Sequence, residues 1–284
     1  MRTSSSRRLF LKSAIAAPAA GTVFSRFLSA VEAKGLEKSD SGLNPVRDET
    51  TGLPLLKLPE GFRYQSFGWV GDVMSDGVIT PEGHDGMGVI SETGDIVTLC
   101  RNHEIKGAKS FGPAELTFDS KAGGGCANLQ FNIKSGKWLR SWTSLAGTVQ
   151  NCAGGPTPWG TWLSCEETVI GPKESFRDVQ YEHEKHHGWV FEVPAEGKAT
   201  VEPLQALGRF VHEALAIDPA EGTIYETEDR DTAGFYRFLP NEPEVLTKGG
   251  RLQMIKIKGK DDLRTGARTG IRYEAEWVDI EDPL

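Results

Sequence analysis

The sequence predicts an all-β protein, and three observations carry that expectation. Apolar and aromatic runs of five to eight residues alternate with clusters of Gly, Pro, Asn and Asp from residue 53 onward, which is the signature of short strands joined by turns. After residue 35 almost nothing shows a sustained 3.6-residue apolar period, so long amphipathic helices are not expected. One three-part pattern also recurs three times between residues 84 and 229, and a repeat of that length marks an architecture built from equivalent units.

The N-terminal 33 residues read as an address and not as part of the fold. Ser6-Arg7-Arg8-Leu9-Phe10-Leu11-Lys12 has the form of a twin-arginine signal, and the apolar run Ala14 to Phe24 follows it. Eleven residues are too few to span a bilayer. Val31-Glu32-Ala33 offers a small-x-small cleavage site. The expected layout is a signal peptide over residues 1–33, a polar linker over 34–50 and a β domain over 51–284. The remaining 251 residues (284 less 33), at 38% hydrophobic content, suffice for a real core. A net charge of −8 argues against a nucleic-acid partner, which selects a basic face.

Strands are expected in order at Arg63 to Trp69, Asp95 to Cys100, Leu129 to Ile133, Trp138 to Leu145, Thr161 to Cys165, Trp189 to Val193, Thr223 to Thr227, Phe235 to Leu239 and Leu252 to Ile257. The repeat lies across them. Its first copy reads His84-Asp85-Gly86-Met87-Gly88, Gly94-Asp95-Ile96-Val97-Thr98 and Asn102-His103-Glu104. The second reads Asn151-Cys152-Ala153-Gly154-Gly155, Gly160-Thr161-Trp162-Leu163-Ser164 and Glu166-Glu167. The third reads His212-Glu213-Ala214-Leu215-Ala216, Gly222-Thr223-Ile224-Tyr225-Glu226 and Glu228-Asp229. Each copy therefore runs from a ligand loop to a strand ending in acids, and a Gly-led aromatic strand follows, as at Gly188-Trp189 and Gly234-Phe235.

That order suits a β-propeller with long inter-strand loops, whose innermost strands aim side chains into one channel. A fourth slot would fall near Trp277-Val278-Asp279-Ile280, which does not match, so the chain is expected to be an incomplete propeller. Asp85, Cys152 and Glu213 occupy one slot in the three copies, 67 and 61 residues apart. Together with Glu104, Glu166, Glu167, Glu228 and Asp229 they supply hard oxygen donors of the kind calcium takes. Cys152 adds a soft thiolate, which favours iron or zinc, so a mixed metal cluster is the economical inference. His103 and His212 are weaker candidates beside it.

Two other readings compete locally. Cys100, Cys126, Cys152 and Cys165 are four thiols in an exported chain, so a disulfide such as Cys152 to Cys165 is an alternative. His183-Glu184-Lys185-His186-His187 matches the HExxH zinc-protease pattern. It lacks the helix that chemistry requires, because Gly188 and a strand follow at once. Serine-esterase and P-loop motifs are missing. A metal cluster of acids and a thiolate fits hydrolysis, with phosphate esters as its natural substrates because their spread negative charge is what clustered cations stabilise.

The motifs Arg101-Asn102-His103-Glu104, Asn151-Cys152-Ala153-Gly154-Gly155 through Trp159 to Glu167, Gly188 to Val193, His212-Glu213-Ala214 and Thr227-Glu228-Asp229 resemble the PhoX alkaline phosphatase family. The resemblance covers most of residues 50–284 and implies a propeller, six-bladed in full-length relatives, with Ca2+ and Fe3+ in its channel. It implies phosphomonoester hydrolysis outside the cytoplasm, export by the twin-arginine machinery, and a monomer when complete. By the same resemblance Cys152 is an iron ligand and Glu213 a bridging glutamate with the Val211 carbonyl nearby, these two side chains being the catalytic candidates. An Arg-Pro-Glu segment that the family carries in later blades is not found before Leu284. A calcium-dependent lactonase or esterase, and a non-catalytic metal-stiffened binding module, are the alternatives.

Overall fold

The computed structural model describes residues 42–176 and 179–284; the signal peptide and residues 34–41 of the linker lie outside them. Every extended sheet is antiparallel and none closes on itself. Among the described residues no helix is long and apolar enough to cross a membrane.

Residues up to Trp69 form one unit. In it β1 (Asn44–Val46) pairs with β2 (Leu56–Leu58), so three residues of the expected linker are strand. Arg63 to Trp69, expected as a strand, joins no ladder. Its polar groups are used otherwise: Ser66 N–H donates to Asp48 Oδ1 at 2.9 Å, and Tyr64 O accepts from Glu49 N–H at 3.0 Å. A side-chain hub has taken the donors that a neighbouring strand would need.

The second unit, Val70–Leu284, contains three main sheets. The first is β3 (His84–Thr93), β4 (Ile96–His103), β5 (Gly124–Asn132) and β6 (Lys137–Thr148), paired in that order. The second pairs β7 (Asn151–Pro156) with β8 (Thr161–Glu166) and β8 with β11 (Val190–Pro194). A small hairpin of β9 (Ser175–Phe176) and β10 (Val179–Gln180) interrupts it. The third is β12 (His212–Ile217), β13 (Ile224–Glu228), β14 (Phe235–Pro240), β15 (Gly250–Ile257) and β16 (Ala275–Asp279). The first strands of the sheets are neighbours, with β7 between β3 and β12.

The second sheet packs apolar side chains on both faces, which is why β8 and β11 carry them at successive positions such as Trp162-Leu163 and Val190-Phe191. Trp162, Phe191 and Val193 pack with Cys100, Cys126 and Leu145 of the first sheet. Leu163, Cys165 and Val190, pointing the other way, pack with Leu215, Ile224 and Phe238 of the third. Alternation along β8 and β11 thus feeds two cores from one sheet.

Candidate metal centre

One irregularity repeats in the three sheets and sets the site. In the first sheet His84 pairs with His103 and the next pair is Met87 with Arg101, so β3 spends three residues where β4 spends two. The second sheet does the same between Asn151–Glu166 and Gly154–Ser164, and the third between His212–Glu228 and Leu215–Glu226. A β-bulge re-aims the side chain it inserts. The bulged segments are Asp85-Gly86, Cys152-Ala153 and Glu213-Ala214, so the ligand slot read from sequence lies within a strand and not in a loop before one.

Two glycines let the bulged strands approach. A Cβ on Gly86 would lie 2.7 Å from Ala153 Cα, and one on Gly155 would lie 2.3 Å from Leu215 O. Any larger residue would force β3 from β7, or β7 from β12.

The second and third sheets bring Cys152, Glu167 and Glu213 together: one ligand atom from each lies within 4.8 Å of the others. Asp85 and Asp229 extend the cluster, since both add to the field on Glu213. Burial raises the Glu104 pKa, and a shared hydrogen bond with Asp85 raises it further, while Lys106 and Gln150 pull it down. Burial and a hydrogen bond with Asp229 lift Glu167 to about 7. Burial pushes the Cys152 thiol up, against a bond from the Ala153 N–H, and the charges of Glu213, Glu167 and Asp85 push in the same direction. Burial acts first, and mutual repulsion adds to it, since five carboxylates and a thiol face one another. A cation removes that repulsion, and hard carboxylate oxygens beside a sulfur are a donor set that fits one.

Gln150 organises the cluster and was not singled out by sequence. Its Nε2 donates to Glu167 Oε2 at 2.8 Å, its N–H donates to Ile105 O at 2.9 Å, and its own carbonyl accepts from Glu167 N–H at 2.9 Å. It holds φ +54°, a left-handed backbone that no sequence motif announces here. Asn102, which the sequence offers only as a motif neighbour of His103 and Glu104, is a second organiser: its Nδ2 donates to Ala153 O at 2.8 Å, and its Oδ1 accepts from Trp162 Nε1 at 3.0 Å and Ser164 Oγ at 2.9 Å. The Cys152 bulge is therefore tied to the first sheet.

Glu166 departs from its expected role. It is fully buried and accepts from Val149 N–H at 2.8 Å, Gly188 N–H at 2.7 Å, Trp189 N–H at 3.0 Å and His187 Nδ1 at 2.7 Å. Its lone pairs are committed to the fold, and strand alternation turns it away from Glu167. Glu228 accepts from Gly234 N–H at 2.8 Å and Tyr236 Oη at 3.2 Å, and the Val211 carbonyl accepts from Asp229 N–H at 3.0 Å. The His103 ring reaches Glu82 O through Nδ1 at 2.9 Å.

The HExxH segment is not helical, which removes the geometry a zinc protease needs. His187 lies between Glu166 and Asp119, with Nε2 3.3 Å from Asp119 Oδ2. Burial lowers its pKa, but the two carboxylates overcome this and hold it near 9. Asp119 also accepts from the N–H groups of Glu184 and Lys185. All four cysteines are free and buried, so the Cys152–Cys165 disulfide is not formed.

A strand-borne cluster of acids with one thiol defines a candidate metal centre in an all-β protein. The sequence model of the family described as Alkaline phosphatase PhoX matches residues 41–283, and the chain belongs to that family. Neither a curated protein nor a solved structure matches the chain.

Proposed function

We propose that the chain contributes the metal centre of a phosphatase that hydrolyses phosphate monoesters outside the cytoplasm. The observation that supports this most directly is the bulge repeated in three adjacent strands, which turns an acid, a thiol and an acid toward one point in a chain of the PhoX family. In this reading the three sheets are consecutive blades of a propeller, with β3, β7 and β12 lining its channel. Calcium and iron are the proposed metals, the thiolate of Cys152 selecting iron and the carboxylates calcium. When bound, they supply charge neutralisation for a phosphoryl oxygen and activation of its attacking nucleophile.

The chain's own residues then have distinct tasks. Cys152, Glu167 and Glu213 hold metal, and Asp85, Glu104 and Asp229 complete the negative field around it. Gln150 keeps Glu104 and Glu167 pointed inward. Glu166 fastens the segments on either side, Val149 before Gln150 and Gly188-Trp189 across from it. Export follows from the paired arginines Arg7 and Arg8, which suits a protein that loads metal before it leaves the cytoplasm.

Metal analysis of protein purified after native export, with p-nitrophenyl phosphate hydrolysis before and after chelation, tests the proposal. Iron and calcium together, with hydrolysis lost on chelation and restored by both metals, is the expected result. Calcium alone without phosphatase activity would overturn it in favour of a lactonase-type enzyme or a binding module.

A further inference from the structure

Glu226 is a carboxyl group placed where carboxyl groups are costly. It is fully buried between the second and third sheets, and neither of its oxygens receives a hydrogen bond of ordinary length. Its nearest polar partner is His212 Nδ1, 3.4 Å from Oε2. Burying a carboxylate in an apolar core costs several kcal/mol unless a partner offsets it, so a leucine would serve packing better.

The other side of His212 fixes how the pair works. Its Nε2 lies 3.2 Å from Gly208 O, and a carbonyl only accepts, so Nε2 carries the hydrogen. Nδ1 then faces Glu226 Oε2 at 3.4 Å, which makes the two groups each other's polar neighbour in the core. Phe210 covers the imidazole at a ring-centroid distance of 3.7 Å. The ring cannot turn without leaving both contacts.

What His212 carries is the bulge. Its carbonyl and that of Glu213 are 3.5 and 3.3 Å from Cys152 Sγ, and the Glu213 side chain is the third sheet's contribution to the cluster. The second sheet has the same device with different atoms: Asn151 Nδ2 donates to Ser164 Oγ at 2.9 Å. Asn151 and His212 precede their ligand slots, and Ser164 and Glu226 stand two residues before the paired Glu166 and Glu228. The first sheet sets His84 within the field of Arg101 at the same two positions.

We infer that Glu226 and His212 are a positioning pair for the metal centre, holding the bulge that presents Glu213 and meets the Cys152 thiol. The inference rests on the metal-centre reading above. Loss of a residue that orients a ligand typically weakens metal binding 10–100-fold.

Cobalt(II) is the probe, because a bound thiolate gives it a charge-transfer band that reports Cys152 directly. The full chain should bind cobalt with that band, and Cys152→Ser should lack it. Glu226→Gln can still bond Nδ1 and should keep the band with affinity within about threefold, whereas Glu226→Leu should weaken binding about 10–100-fold. The double variant His212→Asn with Glu226→Ser installs the second sheet's pair and should recover the band, which a purely structural loss would not allow. A Glu226→Leu protein with wild-type band and affinity overturns the positioning role. If Glu226→Leu does not fold, a folded double variant without the band overturns it equally. Absence of a Cys152-dependent band in the unaltered chain overturns the metal-centre reading, and this role with it.

Discussion

At the scale of single residues, chemistry was legible where an unusual side chain recurred at one phase. Cys152 stood out because it shares a slot with Asp85 and Glu213, and the structure brings Cys152 and Glu213 to within 4.8 Å, with Asp85 in the field on both. Glu166 and Glu167 could not be told apart by type, and only strand alternation separates the buried clamp from the cluster acid. Cys152→Ser should abolish iron content and p-nitrophenyl phosphate hydrolysis together while calcium binding partly persists, since a hydroxyl is a poor substitute for a thiolate. Cys165→Ser should keep iron and instead lower stability by about 1–3 kcal/mol, because its hydroxyl would be buried in the core. Metal analysis and melting of the two purified variants compare them, and like behaviour with iron retained in both would remove Cys152 from the metal set.

At the scale of elements, strands were legible where apolar residues alternate or run together. β8, β13, β14 and β15 fall where the sequence expects them. In sequence β3, β7 and β12 read as ligand loops, because His84-Asp85-Gly86, Asn151 and His212-Glu213 open them with residues more usual in turns than in strands. Close approach between strands demands those small residues, and only the packed structure reveals it. Arg63 to Trp69 failed in the opposite sense, having strand composition but giving its donors to Asp48. Gly155→Ala tests the approach of β7 to β12, for its new Cβ would meet Leu215 O at 2.3 Å. Overpacking of this kind costs about 1–3 kcal/mol. We expect the melt to fall accordingly and metal affinity to fall with it. An unchanged melt with unchanged metal binding would show that the two strands have room to part.

For the whole molecule, the sequence repeat anticipated three similar units in succession, each opening at its ligand slot, because a repeat in sequence is a repeat in contacts. It could not anticipate the charge network within them, since Asp119 belongs to no motif, His187 stands out only in an HExxH pattern of another chemistry, and the two meet 68 residues apart. That network gives the metal-free protein an unusual pH dependence. His84, His103 and His183 have lowered pKa values because burial disfavours their charged form, so their contribution is complete above the ordinary value of 6.5. His187 is the reverse case: held near 9 by Glu166 and Asp119, it contributes fully below 6.5 and loses that contribution as pH rises through 9. Glu167, held near 7, likewise binds its proton more tightly folded than unfolded and loses stability as pH rises through 7. Glu167 therefore acts from pH 4.5 to about 7 and His187 from 6.5 to about 9, and linkage requires each to lower stability as pH rises through its own window. The His187 part is worth roughly 3 kcal/mol for a rise from 6.5 to about 9. Thermal melts in chelator should therefore decline from pH 6.5 to 9, His187→Gln should flatten that decline, and calcium should remove the part below about pH 7 that is due to Glu167 by replacing its proton. A melting temperature that is constant or rises from pH 6.5 to 9 in the metal-free protein would show that the buried imidazole carries no charge there.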